Sequence, residues 1–148
     1  IRGNVDTRLK KMATENLDGI ILAVSGLIRL GLSDKITQII PEKIMLPAIG
    51  QGALGIEIRK DAVEIKRILN FLNHKQTEIC VRAERSFLKE LGGGCQVPVA
   101  ANASLKDNLL EIKGMVSDLE ADRFLFEIME GEINDPEGLG KRLADSLL

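Results

Sequence analysis

The chain has 148 residues, 45% of them hydrophobic and 28% charged, with a formal net charge of −2. That balance describes a folded protein able to bury a real core rather than a disordered segment, and it exerts no pull toward nucleic acid or an anionic membrane surface. The chain has no tyrosine, no tryptophan and four phenylalanines, which speaks against stacked-base recognition. One histidine and two cysteines, Cys80 and Cys95, outside any C-x-x-C pattern, cannot form a usual zinc site. No apolar run is long enough for a membrane span and no signal peptide is visible, so the default expectation is a cytoplasmic, reducing setting. The first residue is Ile1 rather than methionine, and the chain is read as a fragment.

In chain order, residues 1–12 read as a strand end, a turn at Gly3-Asn4 and a helix capped by Asn4 or Asp6. "GIILAV" (19–24), bounded by Asp18-Gly19 and Ser25-Gly26, fits a strand buried on both faces. A short helix follows over Leu27–Leu30 and another across Ser33–Ile40, closed by Pro41. "IMLPAIGQGALGIEIR" (44–59) joins two strand-like pieces through a glycine hinge. "DAVEIKRILNFLN" (61–73) has helical spacing, with Val63, Ile65, Ile68, Leu69 and Leu72 on one side. A further helix is predicted from Thr77, its cap, to Leu91, with Cys80, Ala83, Phe87, Leu88 and Leu91 facing inward. The runs "VPVAANASL", "LLEIKGMVSD" and "RFLFEIMEGEI" then predict a three-stranded antiparallel meander, and Asp135-Pro136 starts a last helix. The fold class is therefore α/β followed by a small α+β domain.

Four features bear on chemistry. "GQGALG" (50–55) matches G-x-G-x-x-G, but a dinucleotide site needs those glycines to open a helix, and the strand-like "IEIR" follows instead. A hinge is the better reading, with Gln51 as an uncharged polar contact. Arg2, Arg8 and Arg29 suit a carboxylate-rich ligand if they converge; as separate side chains they read as solvated surface arginines. Cys80, on an inner helix face, reads as a buried structural thiol, and Arg82, Glu84, Arg85, Lys89 and Glu90 read as that helix's solvated face. Cys95 follows Gly92, Gly93 and Gly94, which either end a helix or leave the thiol unshielded. The C-terminal end of a helix does not lower a thiol pKa, so Cys95 suits capture of a reactive electrophile or permanent attachment of a group better than activated catalysis.

Taken together, "IRGNVDTRLKKM", "DGIILAVSGLIRLGL", "LPAIGQGALGIEIR", "AERSFLKELGGGCQVPVAANA" and "GLGKRLADSLL" resemble the porphobilinogen deaminase (hydroxymethylbilane synthase) family, over about its C-terminal half. The resemblance implies two α/β domains of periplasmic-binding-protein type flanking a cleft, and a small α+β domain with the cofactor cysteine. Residues 1–52 would finish the second domain, 53–74 cross back to the first, and 75–148 form the third. It implies a transferase that joins four porphobilinogens head-to-tail with loss of ammonia, on a dipyrromethane cofactor thioether-linked to Cys95, where a soft sulfur traps an azafulvene electrophile. Arg2, Arg8 and Arg29 would bind pyrrole carboxylates, Gln51 would sit in the cleft, and Gly3 and Ala23 would add backbone contacts. The family's acid–base aspartate lies in the N-terminal part, and Asp6, Asp18 and Asp34 sit in no matching motif. The chain alone is therefore expected to be inactive, and the whole enzyme is expected to be a monomer without metal, nucleic acid or membrane partners. Apolar surface around Ala53–Ile58 and the helix after it would be left for the N-terminal part, or for self-association. The rival reading is a non-catalytic binding domain for an anionic small molecule.

Overall fold

A computed structural model describes residues 1–92, 98–120 and 122–148, which divide into two compact units, Ile1–Pro41 and Glu42–Leu148. In the first unit, helix α1 (Val5–Thr14) starts where the Asn4 side chain accepts the Thr7 N–H at 2.9 Å. This satisfies one of the unpaired donors of the first turn. The helix ends through Asn16, in the left-handed region at φ 51°, as the Leu17 N–H reaches back to the Met12 carbonyl at 3.0 Å. Helix α2 (Val24–Arg29) and a 3₁₀ turn, Ser33–Lys35, follow, and Leu27 is the buried hydrophobic residue of this unit.

Two expectations for the first unit are corrected. "GIILAV" forms no strand: its last residue already begins α2. An apolar run becomes a strand only where a neighbouring strand offers donors and acceptors, and among the described residues of this unit none does. The helix expected across Ser33–Ile40 shrinks to the 3₁₀ turn. The β-branched residues Ile36, Thr37, Ile39 and Ile40 disfavour helix, and so short a segment does not sustain one unaided.

The second unit begins with a stretch in which 44–59 carries turns in place of the expected strand pieces, for the same lack of a pairing partner. Helix α3 (Val63–Leu69) continues into a 3₁₀ turn at Asn70–Leu72. Its predicted apolar side is uncovered, with Val63, Ile65, Ile68 and Leu72 all exposed.

From here the sequence pattern and the packing agree. Helix α4 (Lys75–Glu90), strands β1 (Val99–Lys106), β2 (Leu109–Ser117) and β3 (Phe124–Glu132), and helix α5 (Pro136–Leu147) form one antiparallel sheet in the order β1-β2-β3, with both helices against one face. Asp107 and Asn108, both at positive φ (46° and 65°), make the two-residue turn that pairs Lys106 with Leu109. The register puts Ala101 opposite Gly114, Ala103 opposite Ile112 and Leu105 opposite Leu110 on the helix-facing side. Against them pack Ala83 and Phe87 of α4 and Leu139, Leu143, Ala144 and Leu147 of α5. Each fully buried Leu, Ile or Phe contributes about 1.5–3 kcal/mol. Gly114 is where two of these side chains meet the sheet, since a Cβ there would stand 2.8 Å from Leu143 Cδ2 and 2.9 Å from Phe87 Cζ.

Polar contacts fix the two helices to each other. The Arg82 guanidinium grips Glu137 through Nε at 2.6 Å and Nη2 at 3.0 Å, and the Ser86 hydroxyl donates to the Glu137 carbonyl at 2.8 Å. Asp135 caps α5 by accepting from the Gly138 N–H, with Pro136 at the first helical position as predicted. On α4 the cap differs from expectation: the His74 ring Nδ1, not the Thr77 side chain, accepts the Thr77 N–H.

Candidate functional site

The residues predicted to bind ligand fall in both units. In the first, the chain enters α1 through Gly3 at φ 131°, a conformation that L side chains rarely adopt, and a Cβ there would lie 2.7 Å from Thr7 Cγ2. The bend delivers the Gly3 carbonyl to Arg8, whose Nε–H donates to it at 2.8 Å. Arg8 is half-buried, and among the described residues its two Nη groups make no hydrogen bond and its guanidinium meets no carboxylate within 4.0 Å. The backbone thus holds one edge of a planar fork and leaves the other edge available.

Arg2 is exposed three positions before α1. Arg29 is the exposed last residue of α2, where the unpaired helix carbonyls favour a cation. Ala23 is the exposed N-cap of α2, and its carbonyl accepts from Gly26 N at 3.0 Å. The structure joins Arg8 to Gly3; among the described residues no hydrogen bond links Arg2, Ala23 or Arg29 to that pair.

Gln51 stands in the second unit on two successive turns. Its N–H donates to the Ala48 carbonyl at 2.9 Å, and the Ala53 N–H donates to the Gly50 carbonyl at 3.2 Å. Gly50 and Gly52 are both at positive φ, and the next helix begins only at Val63, so the glycines open no phosphate-binding helix. Gln51 is exposed and helps line a groove of about 350 Å³ with Thr77, Cys80, Glu84 and Asn102.

Glu84 is the residue that sequence reasoning misplaced. It is not on the solvated face of α4 but 6% exposed, accepting from the Gly50 N–H at 2.7 Å and the Ala103 N–H at 2.8 Å. Burial pushes its carboxyl above the usual carboxylate range, and the two amide donors work against that rise. A signal was present: Glu84 lies four residues after Cys80 and three before Phe87, inside the apolar stripe. The half-buried Cys80 thiol is pushed up by desolvation, then by the Glu84 charge, as suits a structural cysteine.

Cys95 lies outside the described residues, together with Gly93, Gly94, Gln96 and Val97. The ends of that segment belong to the packed helices and sheet. Leu91 and Gly92 close α4, with Gly92 at φ 87° and its N–H on the Lys89 carbonyl, and the Pro98 carbonyl accepts from Ser117 N at 3.0 Å.

Two family models match the chain: "Porphobilinogen deaminase, dipyromethane cofactor binding domain" over residues 1–67 and "Porphobilinogen deaminase, C-terminal domain" over residues 78–148. Among curated relatives, the porphobilinogen deaminase of Carboxydothermus hydrogenoformans is 46% identical over 148 residues, all of this chain and 48% of the relative. That of Thiobacillus denitrificans is 48% identical over the same length and 48% of the relative, and that of Geobacter metallireducens 46% identical over 46% of the relative. The chain spans about half the length of the curated relatives it matches.

Proposed function

This chain belongs to the porphobilinogen deaminase family, and we propose that it supplies the cofactor cysteine and part of the carboxylate-binding surface of a hydroxymethylbilane synthase. The reaction joins four porphobilinogens head-to-tail into hydroxymethylbilane and releases one ammonia at each addition. The observation that carries this reading is the Arg8 guanidinium, held by the Gly3 carbonyl with its Nη edge unused. Each pyrrole unit bears an acetate and a propionate, and a guanidinium fork matches a carboxylate with two parallel hydrogen bonds.

The same donor chemistry fits a dipyrromethane, which, thioether-linked to Cys95, supplies the covalent anchor for the growing chain. Arg2, Arg8 and Arg29 bind its carboxylates and those of the substrate, Gly3 and Ala23 add backbone contacts, and Gln51 offers a neutral amide to the bound pyrroles. Residues 1–52 complete a second α/β domain of binding-protein type, 53–74 cross to the first, and 75–148 carry Cys95. The exposed Leu54, Ile56, Val63, Ile68 and Phe71 support the crossover reading, since side chains of this kind pack against a partner surface. None of Asp6, Asp18 and Asp34 takes the acid–base role, so the 148-residue chain by itself forms no hydroxymethylbilane.

The test is an intact-mass and peptide measurement on the full-length protein made with porphobilinogen available. A dipyrromethane adduct on the Cys95 peptide upholds the proposal; an unmodified Cys95 overturns it. In the same protein Arg8→Ala is expected to raise KM for porphobilinogen about ten- to a hundredfold, the value of one lost charged hydrogen bond. Arg8→Lys should recover only part of that loss, because an ammonium keeps the charge without the fork. Steady-state kinetics with an unchanged KM for Arg8→Ala would remove Arg8 from the ligand surface.

A further inference from the structure

We infer that Glu84 is a positioning residue: its carboxylate clamps the Gly50–Gly52 turn to strand β1 and thereby sets where Gln51 stands against bound ligand. The inference rests on the reading above, in which Gln51 contacts the pyrrole chain, and adds to it the residue that holds Gln51 in place.

The geometry is a bridge between segments far apart in sequence. Among the described residues β1 lies at the edge of the sheet and pairs only with β2, so some of its N–H groups have no strand partner there. Glu84 Oε1 takes the one on Ala103, and Oε2 takes that of Gly50. Beside Gly50, the Ile49 side chain packs against the α4–α5–sheet core. The turn is therefore pinned on one side by an apolar anchor and on the other by a carboxylate, with Gln51 left exposed on the groove.

The chemistry of the clamp is selective. Two amide donors converge on one side chain, and a carboxylate offers only acceptors. A glutamine of the same shape would satisfy one N–H and turn its own NH₂ against the other. A leucine would fill the space and leave both N–H groups unpaired, which is the costly outcome for buried donors. Burying a carboxylate against neutral amides is itself unfavourable, as the upward push on its pKa records. Helix α4 needs no charge there, because Ala83 and Phe87 already anchor it to the core. The carboxylate is accounted for by what it holds.

The experiment is a double-mutant cycle in the full-length enzyme, comparing wild type, Gln51→Ala, Glu84→Gln and the double variant. The readouts are KM and kcat for porphobilinogen and amide hydrogen exchange at Gly50–Gly52. Glu84→Gln is expected to speed exchange at the turn and to raise KM about three- to tenfold with little change in kcat. The double variant is expected to show no higher KM than Gln51→Ala alone, since the clamp acts through Gln51. A purely structural Glu84 would lower the unfolding temperature while its effect on KM multiplied with that of Gln51→Ala, and that result overturns the clamp alone. Unchanged exchange at Gly50–Gly52 overturns it as well. An unchanged KM for the Gln51→Ala single variant instead overturns the ligand contact on which the inference rests. If Glu84→Gln does not fold, Glu84→Asp takes its place in the cycle, because it keeps the charge but withdraws both oxygens by one methylene.

Discussion

A Cys95→Ser variant of the full-length protein is expected to carry no covalent pyrrole adduct and to form product at least about a hundredfold more slowly than wild type. In the proposed tether the bond is a thioether, formed when the thiol loses its proton and an aminomethyl carbon loses its amine, the two leaving together as ammonia. Sulfur is suited to this without special activation, because a few per cent of an ordinary thiol is already thiolate at neutral pH; a serine hydroxyl has no comparable anionic fraction. The other cysteine supplies the control. Cys80 is half-buried on α4, with its thiol pushed up by desolvation and by Glu84, so Cys80→Ala should retain the adduct in an intact-mass measurement. An adduct surviving in Cys95→Ser, or vanishing in Cys80→Ala, would move the attachment point and end the tether reading.

The parts of the fold legible in the sequence are those whose stabilising partners lie close along the chain. The β1–β2–β3 meander needs only its own hairpins, so three strand-length runs in succession sufficed to place it. Helix α5 announced itself through Asp135-Pro136, and α1 through Asn4. "GIILAV" and "IEIR" carry strand composition without strand structure, because pairing is a property of two segments and composition describes one. Helix α3 forms where its spacing places a helix, and its apolar side is exposed, as expected of a surface left for another segment to cover. The candidate site divides similarly. Gly3 and Arg8, five residues apart, meet through a local bend. Glu84, which meets Gly50 and Ala103, was hidden by its charged neighbours Arg82 and Arg85, whose side chains do face solvent. A charge run on a helix turns through every face, and only the position within the apolar stripe separates the buried member from the rest.

Gly140→Ala is expected to destabilise the second unit by about 3 kcal/mol, and Gly140→Val to leave it unfolded. Helix propensity alone predicts the reverse, since alanine is better than glycine inside a helix by about 1 kcal/mol. What decides the sign is the crossing of α4 and α5. A Cβ on Gly140 would press on the Ala83 carbonyl oxygen, 2.9 Å from Phe87 N and 3.0 Å from Ser86 Cβ. Two of these three obstacles are main-chain atoms of a helix, which cannot turn aside as a side-chain end can. To admit the methyl group, α5 must lift from α4. Lifting α5 would draw Leu139, Leu143 and Ala144, all fully buried, away from Phe87, Leu110 and Ile112. It would also break the Arg82–Glu137 fork and the Lys141–Glu90 pair, which hold the same two helices at the surface. The cost is therefore overpacking followed by lost burial, and the small gain in propensity does not offset it. Urea unfolding followed by far-ultraviolet circular dichroism tests this, with exposed Asp145→Ala as a control expected to stay within about 0.5 kcal/mol of wild type. A Gly140→Ala variant as stable as that control would mean that the two helices do not cross this closely in solution.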